Sequence, residues 1–210
     1  MVRTGQRAGV LAALLTDAGL TVLASGPAAP RIESLPPPLR DDLLTLYRLL
    51  GGRSERPVFR PGAWDLALTS GAVVELDEEL HFNRYRALTL ERPWSTSLPW
   101  RKDYLAMCRG HEQECVRAGS WGKRWTNPSC EAMFGPPGPP GDLDAGAPRW
   151  KQRALYDAIK DAQAAAGFGP PLVRLAVHDP VGGTTLGTAL EARATADPDA
   201  LRDLVSRRSV

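Results

Sequence analysis

The stretch VVELDEELHF, residues 73–82, constrains the fold more than any other part of this sequence. Its two leading β-branched residues favour a strand, and Glu75, Asp77, Glu78 and Glu79 follow almost without interruption. Residues i and i+2 of a strand point to the same face, so Glu75 and Asp77 are predicted to point together. Glu78 and Glu79 instead fit the first turn of a helix, where the helix dipole favours acids.

A second strand is predicted over residues 63–68, and the turn Thr69-Ser70-Gly71 makes the two strands a hairpin. This hairpin brings Asp65 alongside Glu75 and Asp77. Three ionised carboxylates at one sheet edge are costly without a cation, and hard divalent ions take oxygen ligands. The hypothesis is a metal site formed by Asp65, Glu75 and Asp77 that holds Mg²⁺, with Mn²⁺ as the other candidate ion. A hairpin end in solvent is the alternative interpretation.

The remaining periodicity predicts one mixed α/β domain over residues 1–210, with a helical and loop-rich insertion at 93–148. Residues 172–177 form a continuous apolar run, which predicts a buried central strand. A short strand is also predicted at 20–24. The predicted helices cover residues 5–18, 38–50, 82–91, 101–118, 149–166, 186–195 and 198–207.

Composition limits the classes of protein that this chain can represent. A formal net charge of +2 requires any nucleic-acid contact to be local. Three cysteines, an odd number, argue against a disulfide framework and favour a reducing, cytoplasmic location. No window approaches the roughly 18 consecutive apolar residues of a membrane span, so no membrane partner is expected. Oligomeric state is left open by these features.

The spacing of Asp65, the strand VVELD and His81 resembles the core of the PD-(D/E)XK nuclease superfamily. The resemblance is greatest to the branch related to very-short-patch repair endonucleases and their uncharacterised relatives. It implies a restriction-endonuclease-like fold, with a central mixed sheet flanked by helices. It also implies that Asp65 and Glu75 hold the metal, that Asp77 replaces a lysine, and that His81 positions or deprotonates water. Glu78 stands where that branch has glycine.

Gln152 and Tyr156 resemble the Q-x-x-x-Y element of RecB-like nucleases, in which both side chains lie beside the metal site. Their spacing places them on one helix face. Basic residues near this element and after the acidic stretch are predicted to contact substrate phosphate, with ordinary surface ion pairs as the alternative. These residues are Arg84, Arg86, Lys151 and Arg153.

Four further residues offer zinc ligands: Cys108, His111, Cys115 and Cys130. The first three fall on one face of the helix predicted over 101–118. Structural zinc sites more often use closely paired cysteines, so buried small side chains are the favoured interpretation. A small zinc-stabilised interaction domain is the alternative hypothesis.

Four tryptophans in loop or insertion segments have basic neighbours: Trp94, Trp100, Trp121 and Trp125. Packing is the favoured role for them, and stacking on bases or sugars is the alternative. Together the motifs predict a Mg²⁺-dependent nuclease whose partner is nucleic acid, with DNA favoured over RNA. The rival hypothesis is a catalytically inactive nuclease-fold protein that binds nucleic acid or another protein.

Overall fold

The computed structural model describes residues 5–210 and confirms the mixed α/β class. None of the described helices combines the length and apolar character needed to cross a membrane. The strands are β1 (Leu66–Ala67), β2 (Val73–Asp77) and β3 (Leu172–Ala176). The α-helices are α1 (Gln6–Asp17), α2 (Pro37–Leu49), α3 (Arg84–Leu90), α4 (Arg101–Gly110), α5 (Glu112–Gly119), α6 (Gly122–Trp125), α7 (Pro128–Phe134), α8 (Pro148–Ala165), α9 (Leu186–Leu190) and α10 (Pro198–Arg207). Short 3₁₀ helices cover Ile32–Ser34, Glu79–His81 and Pro93–Ser97.

The described chain forms two compact units. The first unit contains the sheet with α1, α9 and α10, and it consists of residues 5–29, Ala63–Glu78 and Gly169–Val210. The second unit, Pro30–Gly62 and Glu79–Phe168, contains α2 to α8. All of the segment 93–148 belongs to the second unit. Its description as an insertion in a single nuclease-like domain stays a prediction.

The predicted hairpin is present in the first unit. β1 and β2 are antiparallel, with Leu66 opposite Val74, and the turn closes with a 2.8 Å hydrogen bond from the Leu68 amide to the Ala72 carbonyl. β2 is also parallel to β3, with Glu75 opposite Arg174, so β2 is the central strand of a mixed sheet. Every residue of β2 is buried.

Helices flank this sheet within the first unit, as predicted. α10 packs against β3, and α1 packs against both α9 and α10. The start of α10 is fixed by Asp197, whose side chain accepts hydrogen bonds from the amides of Asp199 and Ala200. A restriction-endonuclease-like arrangement of these elements stays a prediction.

Two strand predictions were wrong in detail. The segment 20–24 forms only a single bridge, between Val22 and Leu68. β3 is buried but not central, and Leu172 exchanges backbone hydrogen bonds of 2.8 and 3.1 Å with Val210. A continuous apolar run reports burial on both faces of a strand, and burial does not determine the strand's position in the sheet.

The helix predicted over 101–118 is broken into α4 and α5. His111 lies between them with φ −116° and ψ 10°, outside helical geometry. Gly110 weakens the end of α4, because glycine has low helix propensity. Glu112 then begins α5, where an acid is favourable. Cys108 and Cys115 therefore lie on different helices, and the shared helix face predicted for zinc is absent.

In the second unit, α8 is the longest helix and packs against α2, α3 and α7. Tyr47 of α2 contacts Phe59 and Phe134, each with ring centroids 5.4 Å apart. A second apolar cluster centres on Trp150, whose ring meets Trp125 edge-on at 5.1 Å. These contacts bury the apolar face of α8.

Gly119, the last residue of α5, tests how closely this second cluster is packed. A Cβ at this position would lie 2.6 Å from side-chain atoms of both Leu80 and Trp150. We expect Gly119→Ala to lower the free energy of unfolding by about 1–3 kcal/mol through overpacking, measured by urea titration. Gly110→Ala is the matched control, because a Cβ there meets nothing within 4 Å. The control should stabilise by about 0.5–1 kcal/mol, and equal effects of the two changes would contradict the packing.

Candidate functional site

Asp65 and Glu75 lie together on the hairpin of the first unit. Asp65 directly precedes β1, and continuation of the β1–β2 register, in which Leu66 lies opposite Val74, would set it opposite Glu75. The Asp65 Oδ2 atom accepts a 2.8 Å hydrogen bond from the Leu76 amide, which orients the carboxylate. Asp65 is exposed, whereas Glu75 retains only 6% of its accessible surface. The predicted approach of Asp65 to the second strand is therefore present.

Asp77 has a protein cation as its partner. Its side chain is fully buried, and both carboxylate oxygens lie 2.9 Å from Nη1 of Arg174, which is also fully buried. Arg174 sits on β3 across from Glu75, on the same face of the sheet. Arg174 was not among the predicted site residues, although it is the one polar position in the run LVRLAV. An arginine inside a buried strand was the available signal, since buried charges are paired.

The three carboxylates predicted to hold one ion are not brought together as a set. Within residues 5–210, the ligand atoms of Asp65, Glu75 and Asp77 do not all lie within 4.8 Å of one another. The Arg174 guanidinium binds Asp77, and the Leu76 amide binds Asp65. Asp65 and Glu75 still offer two hard oxygen donors. Mg²⁺ commonly uses one or two carboxylates together with water and substrate phosphate, so this pair fits the predicted ion.

His81 has a carboxylate partner in the second unit. Its Nδ1 atom lies 2.9 Å from Oδ2 of Asp157 on α8, and both side chains are largely buried. A carboxylate on Nδ1 orients the ring and favours proton transfer at Nε2. Asp157 was not among the predicted site residues, although it directly follows Tyr156 of the Q-x-x-x-Y element. The role of His81 in handling water stays a prediction.

Acidic and imidazole groups that could bind a metal ion occur in each unit. Asp77 is such a group in the first unit, and His81 and Asp157 are such groups in the second. Carboxylate oxygen suits Mg²⁺ and Mn²⁺, while imidazole also suits Zn²⁺. These donor types therefore support a metal-binding protein without selecting one ion.

Gln152 and Tyr156 form the predicted pair on one face of α8. The Gln152 side-chain amide donates to the Tyr156 hydroxyl at 3.5 Å and to the Ser129 hydroxyl at 3.0 Å. The same amide contacts the Met133 sulfur at 3.2 Å. Gln152 is buried, and Ser129 and Met133 both belong to α7. The pair thus joins α7 to α8, and its place beside a metal site stays a prediction.

Arg86 does not have the surface role predicted for it. Its side chain is fully buried, with Nη2 2.7 Å from a carboxylate oxygen of Asp161, which is also fully buried. Its Nη1 atom donates to the Thr89 hydroxyl at 3.2 Å. A side chain without exposed surface cannot reach a substrate phosphate in this structure. Removing one partner of such a buried pair would leave an uncompensated charge, so Arg86 is a structural residue.

The other three predicted phosphate contacts also have partners within the second unit. Arg84 binds Glu112 and Asp144, and its hydrogen bonds to Glu112 are the main cause that raises the pKa of Arg84 above its ordinary value. Lys151 lies 5.3 Å from the ring centroid of Tyr85, and burial, followed by the charge of Arg53, lowers its pKa. Arg153 donates to the Leu80 carbonyl at 3.4 Å. Contact of these cations with phosphate stays a prediction.

The three cysteines are all buried, as the packing interpretation predicts. Burial raises the pKa of the Cys115 thiol to about 11, which disfavours the thiolate that zinc requires. The Cys130 sulfur donates to the Asn127 carbonyl at 3.1 Å and accepts from the Asn127 amide at 3.2 Å. His111 binds Glu114 at 3.1 Å. The contacts of Cys130 account for that thiol as a structural group, and Glu114 is an acidic partner of His111.

Comparison with known proteins places the chain in one family. The family of unknown function DUF7255 matches residues 45–192, which is more than half of the chain, and the protein belongs to this family. Searches of curated proteins and of solved structures each found no match. The matched segment includes Asp65, Glu75 and Asp77 as well as the His81–Asp157 pair.

The Asp77–Arg174 pair predicts a strong and asymmetric response to mutation. Asp77→Asn leaves the Arg174 charge buried without its partner, and we expect it to lower the free energy of unfolding by about 3–5 kcal/mol. The double variant Asp77→Leu/Arg174→Leu should recover most of this loss, because it removes both buried charges. Chemical denaturation measures both variants.

The exposed ion pair Asp199–Arg202 on α10 provides the matched control for this cycle. Asp199→Asn should change stability by no more than about 0.5 kcal/mol, because solvent screens surface pairs. A similarly small effect of Asp77→Asn would contradict the buried pair.

The raised pKa of Cys115 predicts slow alkylation of the native protein. At pH 8 the Cys115 thiol remains protonated, and the reactive thiolate is scarce. We expect iodoacetamide to modify all three cysteines in denaturant and Cys115 only very slowly without it, as followed by mass spectrometry of peptides. Rapid native labelling of Cys115 would contradict its burial.

Proposed function

We propose that this protein is a metal-dependent nuclease that hydrolyses phosphodiester bonds in nucleic acid, with Asp65 and Glu75 as its metal ligands. The observation that carries the proposal is the position of Asp65 on the β1–β2 hairpin, where its carboxylate accepts a hydrogen bond from the amide of Leu76, the residue next to Glu75. The resemblance of the surrounding sequence to PD-(D/E)XK nucleases supports this reaction class and favours DNA as the substrate.

The chemistry of the pair is consistent with this reaction. A bound divalent ion supplies Lewis-acid stabilisation of charge at phosphorus and lowers the pKa of a bound water. Asp65 and Glu75 provide the oxygen atoms that hold such an ion, and the hydrogen bond from Leu76 limits rotation of the Asp65 carboxylate. A fixed ligand loses less conformational entropy when an ion binds.

Arg174 has a supporting part in this proposal. Its guanidinium neutralises Asp77, which is the third carboxylate on the shared face of β2 and β3. With that charge balanced, less repulsion opposes ionisation of Glu75 and Asp65. Asp77 occupies the position where many of the resembled nucleases carry lysine. In this chain, a cation on the neighbouring strand supplies positive charge at the same face.

His81 remains the proposed proton-transfer residue. Asp157 orients its imidazole, and imidazole is the side chain most often used for general acid–base catalysis. The His81–Asp157 pair therefore has the composition of a general base and its orienting carboxylate.

The same Arg174 also favours a second candidate function, a nuclease-fold protein that binds a partner without cleavage. An arginine cannot dissociate as a metal ion can, and it already balances one acid of the sheet. Under this alternative, the acids serve only the structure of the hairpin. Metal binding and cleavage separate the two candidates directly.

Glu75→Gln and Asp65→Asn test the proposed nuclease. Each removes one anionic ligand, and we expect cleavage of single- or double-stranded DNA in Mg²⁺ or Mn²⁺ to fall by about 100-fold or more. Isothermal calorimetry should show a matching loss of divalent-ion affinity. Asp203→Asn is the matched control, because Asp203 is an exposed acid of the same unit.

Three outcomes of this experiment decide between the candidates. Loss of cleavage in both variants with full activity in the control supports the nuclease. Wild-type protein that binds no divalent ion and cleaves no nucleic acid contradicts it and favours the binding function. Equal losses in all three variants would show that the chosen acids have no special role.

A further inference from the structure

Trp121 differs from its neighbouring aromatic residues in its exposure. It directly precedes α6 in the second unit, and 50% of its surface is accessible. Trp100 and Trp125 are buried, which confirms the packing role predicted for them, and Trp150 is buried as well. Packing does not account for Trp121. An exposed indole beside cations offers a π-face on which a base can stack.

The exposed indole is held by a neighbouring cation. The guanidinium carbon of Arg124 lies 4.7 Å from the Trp121 ring centroid, within the range of a cation–π contact. Nη1 of Arg124 also donates to the Ala118 carbonyl near the end of α5 at 3.1 Å. This second contact fixes the guanidinium, which in turn limits rotation of the ring. The surface is therefore ordered before any ligand arrives.

Positive charge around Trp121 is not neutralised by the protein. Among residues 5–210, neither Lys123 nor Arg124 forms a salt bridge. Arg84, by contrast, binds two carboxylates. Two cations without an acidic partner, in a chain with net charge +2, form a small local basic patch of the kind that contacts phosphate.

A cavity of about 580 Å³ lies beside α6. Its size is within the range of small-ligand sites. Lys123 belongs to its wall, together with Thr126, Asn127, Pro137 and Gly138. Gly138 is held in place by a 3.1 Å hydrogen bond from the Trp125 indole to its carbonyl. A group attached to a ligand that contacts Lys123 thus has space to enter a preformed recess.

We propose that Trp121, Lys123 and Arg124 form a binding platform for unpaired bases of single-stranded nucleic acid. A base would stack on the exposed indole, and Lys123 would contact an adjoining phosphate. Duplex base pairs cover the faces of their bases, so a stacking platform favours single strands. An acidic peptide would satisfy the cations but would leave the indole without a stacking partner.

This platform belongs to the second unit and does not depend on the metal-dependent cleavage proposed for Asp65 and Glu75. Binding is therefore measured with a chelator present, by fluorescence anisotropy of labelled oligothymidylate, so that no cleavage can occur. Failure of the nuclease proposal and failure of the platform are thus observed separately.

Substitution of Trp121 is the central test. We expect Trp121→Ala to weaken binding of oligothymidylate by about tenfold, because stacking on one base is lost, and Trp121→Phe to retain most of the affinity. The matched control is Phe168→Ala, which removes a similarly exposed aromatic residue, 54% accessible, from the same unit. It should leave the affinity unchanged.

The salt dependence of binding tests the cations separately. Lys123→Ala should reduce the slope of log affinity against log salt by about 0.7, the contribution of one phosphate contact on a single strand. Trp121→Ala should leave the slope unchanged, because an indole carries no charge. Lys102→Ala, an exposed lysine on α4, is the control and should preserve the slope.

Several results would overturn the proposal. Wild-type affinity of Trp121→Ala would show that the indole is not a contact. Equal affinity for a duplex of the same sequence, or equal competition by polyglutamate, would show a general response to negative charge. Absence of measurable binding to oligothymidylate by the wild-type protein would also reject the platform.

Discussion

The ion pair between Asp77 and Arg174 is the interaction on which the sheet most depends. It joins β2 to β3 across 97 positions of sequence, with both side chains removed from water. Desolvation of two such charges is offset only by close contact, so the pair restricts the alignment of the two strands. A one-residue shift in register would move Arg174 to the opposite face and leave Asp77 without its partner. The position of Glu75 opposite Arg174 follows from that register.

Much of the fold could be predicted from local sequence, because local rules determine it. The turn Thr69-Ser70-Gly71 and its flanking strands indicated the hairpin, and Pro198 after Asp197 indicated the start of α10. The break at His111 could not be predicted from helical periodicity, since apolar spacing continues across it. Gly110 was the local signal, and glycine alone does not end a helix reliably.

The partners of the candidate site could not be predicted, because they are remote in sequence. The acids of β2 were visible as a pattern, but Arg174 and Asp157 lie far along the chain from the residues they bind. The predicted contact of Arg86 with substrate phosphate was wrong for the same reason. Its counterion, Asp161, is on another helix, and only tertiary packing shows that both are buried. The sequence therefore indicated which side chains could bind a metal or a phosphate, whereas the partners of these side chains are visible only in the structure.

The construction of the first unit from three separated segments has a consequence for its folding. β2 is synthesised well before β3, because most of the second unit lies between them in the chain. One edge of β2 therefore has no strand partner until β3 has been made. Late pairing of this kind is slow and exposes a strand edge to association with other chains. The acids of VVELDEE that border this strand repel a second copy of the same segment. Their like charges therefore oppose the association of two newly made chains before β3 is available to pair with β2.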